Sequence, residues 1–174
     1  MTTEQQPIDL AKTAILIMDF QNDIVNNVAE DPAAVVANAA RVLGGARSRG
    51  VPVIHVMHRG GRFAEHSPGV EICAGVQPAA GEPVVSKTKA GPFSTTGLDV
   101  SLREMGVDTL ALMGVATSGC VLSASRWAAD LGYRVVVITD ACADRDPEVH
   151  RVLTEKIYVR QGVMTTDEIL VAMS

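Results

Sequence analysis

The chain has 174 residues, enough for one domain over 1–174 and too few for two comfortable ones. Hydrophobic residues are 47% and charged residues 20%, which excludes a disordered, collagen-like or coiled-coil chain. Fifteen Lys and Arg against 20 Asp and Glu leave a net charge of −5, so a basic face for nucleic acid or anionic membrane is not expected.

The chain alternates apolar runs with segments of helical period. The runs are Thr13 to Asp19, Pro52 to His58, Pro83 to Lys87, Thr109 to Ala116, Arg134 to Ala141 and Gly162 to Thr166. They are nearly continuous in apolar residues rather than alternating. Strands covered on both faces read this way, which predicts a parallel sheet between helical layers. Asp31-Pro32 opens a helix that stops at Gly50, with proline at a first-turn position. Arg59 to Glu82 is a long irregular segment punctuated by glycine and proline, and a segment of that length is usually functional. Leu98 to Gly106 and Val121 to Gly132 are helical stretches ending on glycine, and Asp146-Pro147 opens another that runs to Gly162. The predicted fold is α/β: a doubly wound, Rossmann-like three-layer sandwich with a mostly parallel six-stranded sheet.

The three cysteines, Cys73, Cys120 and Cys142, form no CxxC pair, which argues against a disulfide framework or a zinc knuckle. MTTEQQPIDL has neither the basic nor the apolar region of a secretory signal, and no apolar run approaches the ~20 residues that span a bilayer. A cytoplasmic protein with free thiols is expected, and Cys73 and Cys142 are expected to be packing residues. No G-x-G-x-x-G or G-x-x-x-x-G-K-[ST] follows a strand, so no nucleotide cofactor is expected.

Ligands of this fold class bind beyond the carboxyl ends of the strands. Three reactive side chains fall there: Asp19 after the first strand, Lys87 at the end of the third and Cys120 after the fourth. Cys120 directly precedes a helical stretch, where the helix dipole favours a thiolate. The small residues of GVATSG let backbone amides approach a substrate. A sulfur nucleophile, a carboxylate to take its proton and amides for an oxyanion are what acyl transfer needs. Each residue also has a plain structural reading: a packed cysteine, a capping aspartate, a solvated lysine. Their coincidence at strand ends separates the two.

The residues ILIMDFQND, VVSKTKAGPFSTTGLDVSLREMGVDTL and GVATSGCVLSASRWAADLGY resemble, in that order, the aspartate, lysine and cysteine motifs of the isochorismatase-like cysteine hydrolases. That family includes nicotinamidases and N-carbamoylsarcosine amidase. The resemblance runs from about Thr13 to the C-terminus. It implies Cys120 as nucleophile, Asp19 as proton acceptor and Lys87 as the charged partner of both. It also implies a cis peptide at Val115–Ala116 and oxyanion donors at the N–H groups of Ala116 and Cys120. The implied reaction is hydrolysis of a C–N bond in a small amide, carbamoyl or lactam substrate, and the implied assembly is a homodimer or larger.

Phe20, His58, Phe93, Thr117 and Trp127 are the candidate substrate contacts. Core packing competes for Phe20, Phe93 and especially Trp127. Lys89, Ala90, Gly91 and Pro92 depart from the family pattern after the lysine, which leaves the pocket open to other substrates. The second-strand region has His55, His58 and His66 but no aspartate, and His55 and His58 would point to opposite faces of a strand. No metal is therefore expected. Asp140 and His150 read as structural. Three rivals stand beside acyl transfer. Cys120 and Arg126 have phosphatase-like spacing, but VLSAS between them lacks the glycines of a phosphate cradle. The other two are enol-ether hydrolysis and a non-catalytic binding or redox-sensing thiol.

Overall fold

The computed structural model describes residues 7–63 and 66–174. Residues 1–6, which bear on the N-terminal reading, and 64–65 of the long irregular segment lie outside the described residues. Six strands form one sheet: β1 (Thr13–Met18), β2 (Val53–His58), β3 (Val84–Lys87), β4 (Thr109–Val115), β5 (Arg134–Ala143) and β6 (Val163–Met164). Their order is β3-β2-β1-β4-β5-β6, and every neighbouring pair is parallel. Every residue of β1 and β4 is buried, which is why those runs carry no polar alternation.

The helices are α1 (Asn22–Val28), α2 (Pro32–Ser48), α3 (Leu98–Glu104), α4 (Leu122–Asp130), α5 (Pro147–Val152) and α6 (Thr166–Ala172). In α2 the Asp31 side chain accepts from the Ala34 N–H, and Gly50 follows with φ 68°. Its buried residues Val35, Ala39, Val42, Leu43 and Ala46 repeat at helical spacing. The β1–β2 crossover moves one way along the sheet and the β4–β5 crossover the other. Right-handed crossovers therefore place α2 and α4 on opposite faces. The direction reverses between β1 and β4, and that switch point is where the fold leaves room for a ligand.

Two helices have no counterpart in the predicted elements. The first, α1, is a seven-residue helix with three asparagines, poor helix formers. The other, α6, is closed by a Thr165–Glu168 capping box, a signal present in the chain but attached to a short run. The helix predicted from Asp146-Pro147 to Gly162 is not continuous. After α5 the chain makes a wide π turn over Leu153–Ile157 and a 3-10 turn over Tyr158–Arg160. These turns bury Tyr158 completely.

The long segment is partly tied down. Asn22 N–H donates to the Glu71 carbonyl at 3.0 Å, Asp23 N–H to Gly69 at 2.8 Å and Cys73 N–H to Phe20 at 2.8 Å. The residues after Asp19 thus hold residues 67–73 against the end of β1. No described helix is long and apolar enough to cross a membrane.

Candidate active site

Asp19 leaves β1 in the left-handed region, with φ 59°. Only a few percent of non-glycine residues sit there, and aspartate is among those that tolerate it. Its N–H is anchored on the Val56 carbonyl at 2.8 Å. Lys87 ends β3, two strands away, roughly 10 Å across the sheet. Its side chain passes the end of β2 and places Nζ 2.7 Å from Asp19 Oδ2. Nζ also donates to the Lys89 carbonyl at 3.1 Å. Lys87 is 1% exposed and Asp19 6%. Asp19 Oδ1 is buried without a hydrogen-bond partner.

Cys120 lies in a π turn, Thr117–Val121, between β4 and α4. Such turns recur at functional sites because they redirect a side chain without ending the helix. Sγ is 3.7 Å from the Ala116 carbonyl and 4.0 Å from the Met18 carbonyl at the end of β1. Gly114 makes room for it. A Cβ there would meet Sγ, the Met18 oxygen and a Val121 methyl, each at 3.0 Å. The Val115–Ala116 peptide is cis, as the motif resemblance implies.

Asp19 and Cys120 perturb each other. Burial pushes the Asp19 carboxyl up, and Lys87 pulls against it. Burial also pushes the Cys120 thiol well above its ordinary value, the Asp19 carboxylate adds to this, and Lys87 opposes it. Burial thus works toward the thiol, against the thiolate that the helix N-terminus and Lys87 would favour. A sulfur in this state needs a base beside it.

Five further residues were expected to touch substrate. His58 ends β2 half-buried, close enough to Asp19 and Lys87 to feel both charges, with its ring 5.5 Å from Phe63. Thr117 does not fit that role. It is fully buried and its hydroxyl is 2.8 Å from His150 Nδ1, so it faces the scaffold. Trp127 is 44% exposed on α4, so it is not a core residue. Phe20 and Phe93 belong to the hydrophobic core, and Phe93 packs on Tyr133. His55 is buried with Nε2 3.0 Å from Glu82, and His66 is exposed. Among the described residues no group of three His, Cys, Asp or Glu is arranged to hold a metal. Asp140 Oδ1 accepts from the Thr166 N–H and hydroxyl at the start of α6. Leu122 to Ser125 are already helical, so Cys120 and Arg126 do not bracket a phosphate cradle.

Sequence reasoning missed Gln21. It is fully buried, its Nε2 donates to the Val70 and His58 carbonyls, and its Oε1 accepts from the His58 N–H. It joins β1, β2 and the long segment beside Asp19. No local pattern marks such a residue, because its partners are 37 and 49 positions away.

The Isochorismatase domain model matches residues 13–168. The chain belongs to the isochorismatase-like cysteine hydrolase family. Among its relatives, a maleamate amidohydrolase of Pseudomonas putida is 30% identical over 89% of this chain and 83% of its own length. A streptothricin hydrolase of Streptomyces noursei is 37% identical over 76% of this chain, which spans 50% of that enzyme. An isochorismatase family protein from Burkholderia thailandensis superposes with a TM-score of 0.85 at 27% identity, covering 96% of this chain and 98% of that one. Family members are thus hydrolases that include amidohydrolases.

Proposed function

We propose that this isochorismatase-family chain hydrolyses a C–N bond of a small amide, carbamoyl or lactam compound through a thioester on Cys120. One observation carries the reading. Asp19 holds Lys87 on one oxygen, its other oxygen is buried, and the carboxylate lies close enough to the Cys120 thiol for each group to shift the other's proton affinity.

As Sγ attacks the carbonyl carbon, Asp19 takes the thiol proton. The carbonyl oxygen becomes an oxyanion, and the N–H groups of Ala116 and Cys120 are assigned to hold it. Collapse breaks the C–N bond, and Asp19 returns the proton to the leaving nitrogen. Water then enters, gives a proton to Asp19 and attacks the thioester. The acid departs and the thiolate recovers its proton. Lys87 keeps the carboxylate charged and aimed between turnovers. The sulfur would be idle in an enol-ether hydrolysis. A homodimer or larger is proposed from the family resemblance, and a cytoplasmic setting from the free thiols and the N-terminal sequence; light scattering tests the assembly.

The test is a panel of amides, ureido acids and lactams, with mass-spectrometric trapping of acylated Cys120. Turnover of at least one compound, a trapped acyl group and loss of several orders of magnitude in Cys120→Ala are expected. Turnover of these compounds that survives Cys120→Ala would rule out the thioester route, and turnover of an enol ether but of no C–N compound would point to enol-ether chemistry. Alkylation without turnover of any compound would point to a sensing thiol.

A further inference from the structure

Between Ala116 and Cys120 lies the Thr117–Ser118 peptide, and both of its polar ends are gripped by side chains from the last third of the chain. The Tyr158 hydroxyl donates to the Thr117 carbonyl at 2.7 Å. The Ser118 N–H donates to Asp144 Oδ2 at 2.6 Å. A third contact joins the Thr117 hydroxyl to His150 Nδ1 at 2.8 Å. These partners come from three separate places: just after β5, inside α5, and the 3-10 turn that follows it.

Packing alone does not call for this arrangement. Tyr158 is fully buried, and phenylalanine would fill the same space without a hydroxyl to desolvate. The Thr117 carbonyl already accepts the Leu122 N–H inside the π turn, so Tyr158 adds a second donor to an occupied acceptor. The Ser118 N–H is one of the unpaired amides at the start of a helical segment, and Asp144 satisfies it from outside the turn. Burial keeps the Tyr158 hydroxyl protonated and the His150 ring neutral, so the hydroxyl donates and Nδ1 can accept. The peptide plane between the two assigned donors is thus fixed at its oxygen, at its hydrogen and at the neighbouring hydroxyl.

We propose that Tyr158, Asp144 and His150 are positioning residues that hold the Thr117–Ser118 peptide and so aim the Ala116 and Cys120 N–H groups at the developing oxyanion. This rests on the acyl-transfer reading above. Aim matters only while an oxyanion exists, which separates this role from general support of the fold. Removing a whole oxyanion donor costs about 100- to 1,000-fold, so mis-aiming one should cost about tenfold or more.

Two reagents on the same sulfur make the test. Iodoacetamide alkylates by displacement and forms no oxyanion. p-Nitrophenyl acetate acylates through a tetrahedral oxyanion. In Tyr158→Phe, acylation of Cys120 should slow at least tenfold while alkylation stays within twofold. Thr117→Val should behave the same way. Asp144→Ala should do so as well, and Asp144→Asn, which keeps an accepting oxygen, should recover most of the acylation rate. Equal slowing of both reagents, or no change in a folded Tyr158→Phe, would overturn the role. If Tyr158→Phe does not fold, the Asp144 pair decides by the same criterion. Wild-type protein that is alkylated at Cys120 but never acylated would sink the hydrolase reading itself, and this role with it.

Discussion

Lys87 and Asp19 meet at 2.7 Å although their strands are not neighbours, because the lysine stem crosses the end of β2. Both charges are buried, so each needs the other. Removing one partner leaves an uncompensated charge. Lys87→Met should therefore cost about 3–5 kcal/mol, and the double variant Lys87→Met with Asp19→Asn should recover much of that loss. Urea unfolding at pH 7 measures it. Losses that simply add in the double variant would show that the two groups are not coupled.

The same pair separates two roles of Asp19. Its charge holds the Cys120 proton on, yet its oxygen is the proposed acceptor of that proton. Alkylation of Cys120 by iodoacetamide should keep rising through pH 9, with no plateau near neutrality. Asp19→Asn should shift that profile to lower pH, because a negative neighbour is gone. Amide hydrolysis should nonetheless fall by about 100- to 10,000-fold, because the base is gone. Lys87→Ala should shift the alkylation profile to higher pH. Parallel loss of alkylation and hydrolysis in Asp19→Asn would contradict the base assignment.

What could be read from the chain follows a physical line. β1 and β4 were legible because burial on both faces removes polar alternation. That Asp19, Lys87 and Cys120 are brought together was legible because a parallel sheet gathers strand ends on one side. Trp127 was harder to place because a π turn shifts the helical phase between Cys120 and α4, and Thr117 because its partner His150 lies 33 positions away. The burial that pushes the Cys120 thiol up was not legible, because it depends on what covers the sulfur, and local sequence does not carry that. Gln21, Asp144 and Tyr158 act through partners tens of residues away, and no period encodes them.

Gly114 tests how tightly the sulfur is seated. A Cβ at this position would stand 3.0 Å from Sγ, from the Met18 oxygen and from a Val121 methyl. Two of these neighbours are held by β1 and the π turn, so the sulfur or the strands must give. Gly114→Ala should cost about 1–3 kcal/mol through overpacking. Alkylation and turnover at Cys120 should both fall, with thermal melting and iodoacetamide kinetics as the readouts. Unchanged kinetics in a folded variant would mean that Sγ has room to move.

Gln21 makes three hydrogen bonds in a buried setting. Gln21→Leu would leave the His58 N–H and the Val70 carbonyl short of partners. Unmade buried bonds cost about 1–3 kcal/mol each. The loss should appear first in the long segment, since residues 67–73 are held by few other contacts outside the Phe20–Asp23 stretch. Limited proteolysis should therefore cut within 59–82 faster in the variant. Cleavage confined to other sites would argue that this anchor is redundant.

Glu82 contributes to the pH dependence of the fold on the acid side. Its carboxylate takes a forked contact from Arg47 at 2.7 and 2.8 Å, the Ala79 N–H at 2.8 Å and the buried His55 ring at 3.0 Å. These donors, Arg47 foremost, hold it down at about 2 against an ordinary 4.5. A depressed carboxyl stabilises the fold fully above its unfolded value and loses that contribution as pH falls toward the folded one. The window is therefore about pH 4.5 to 2. A shift of this size corresponds to about 2–3 kcal/mol once its partial solvent screening is allowed for. Burial holds the His55 ring below its ordinary 6.5, so the unfolded chain takes up that proton first and stability already declines below neutrality. Urea midpoints at pH 7, 5 and 3 should fall in that order. Glu82→Gln should be less stable than the wild type at pH 7, and the gap should narrow by pH 3 because the wild-type carboxylate is then surrendering its advantage. A gap that stays constant from pH 7 to 3 would mean that the Arg47 fork contributes through shape rather than charge.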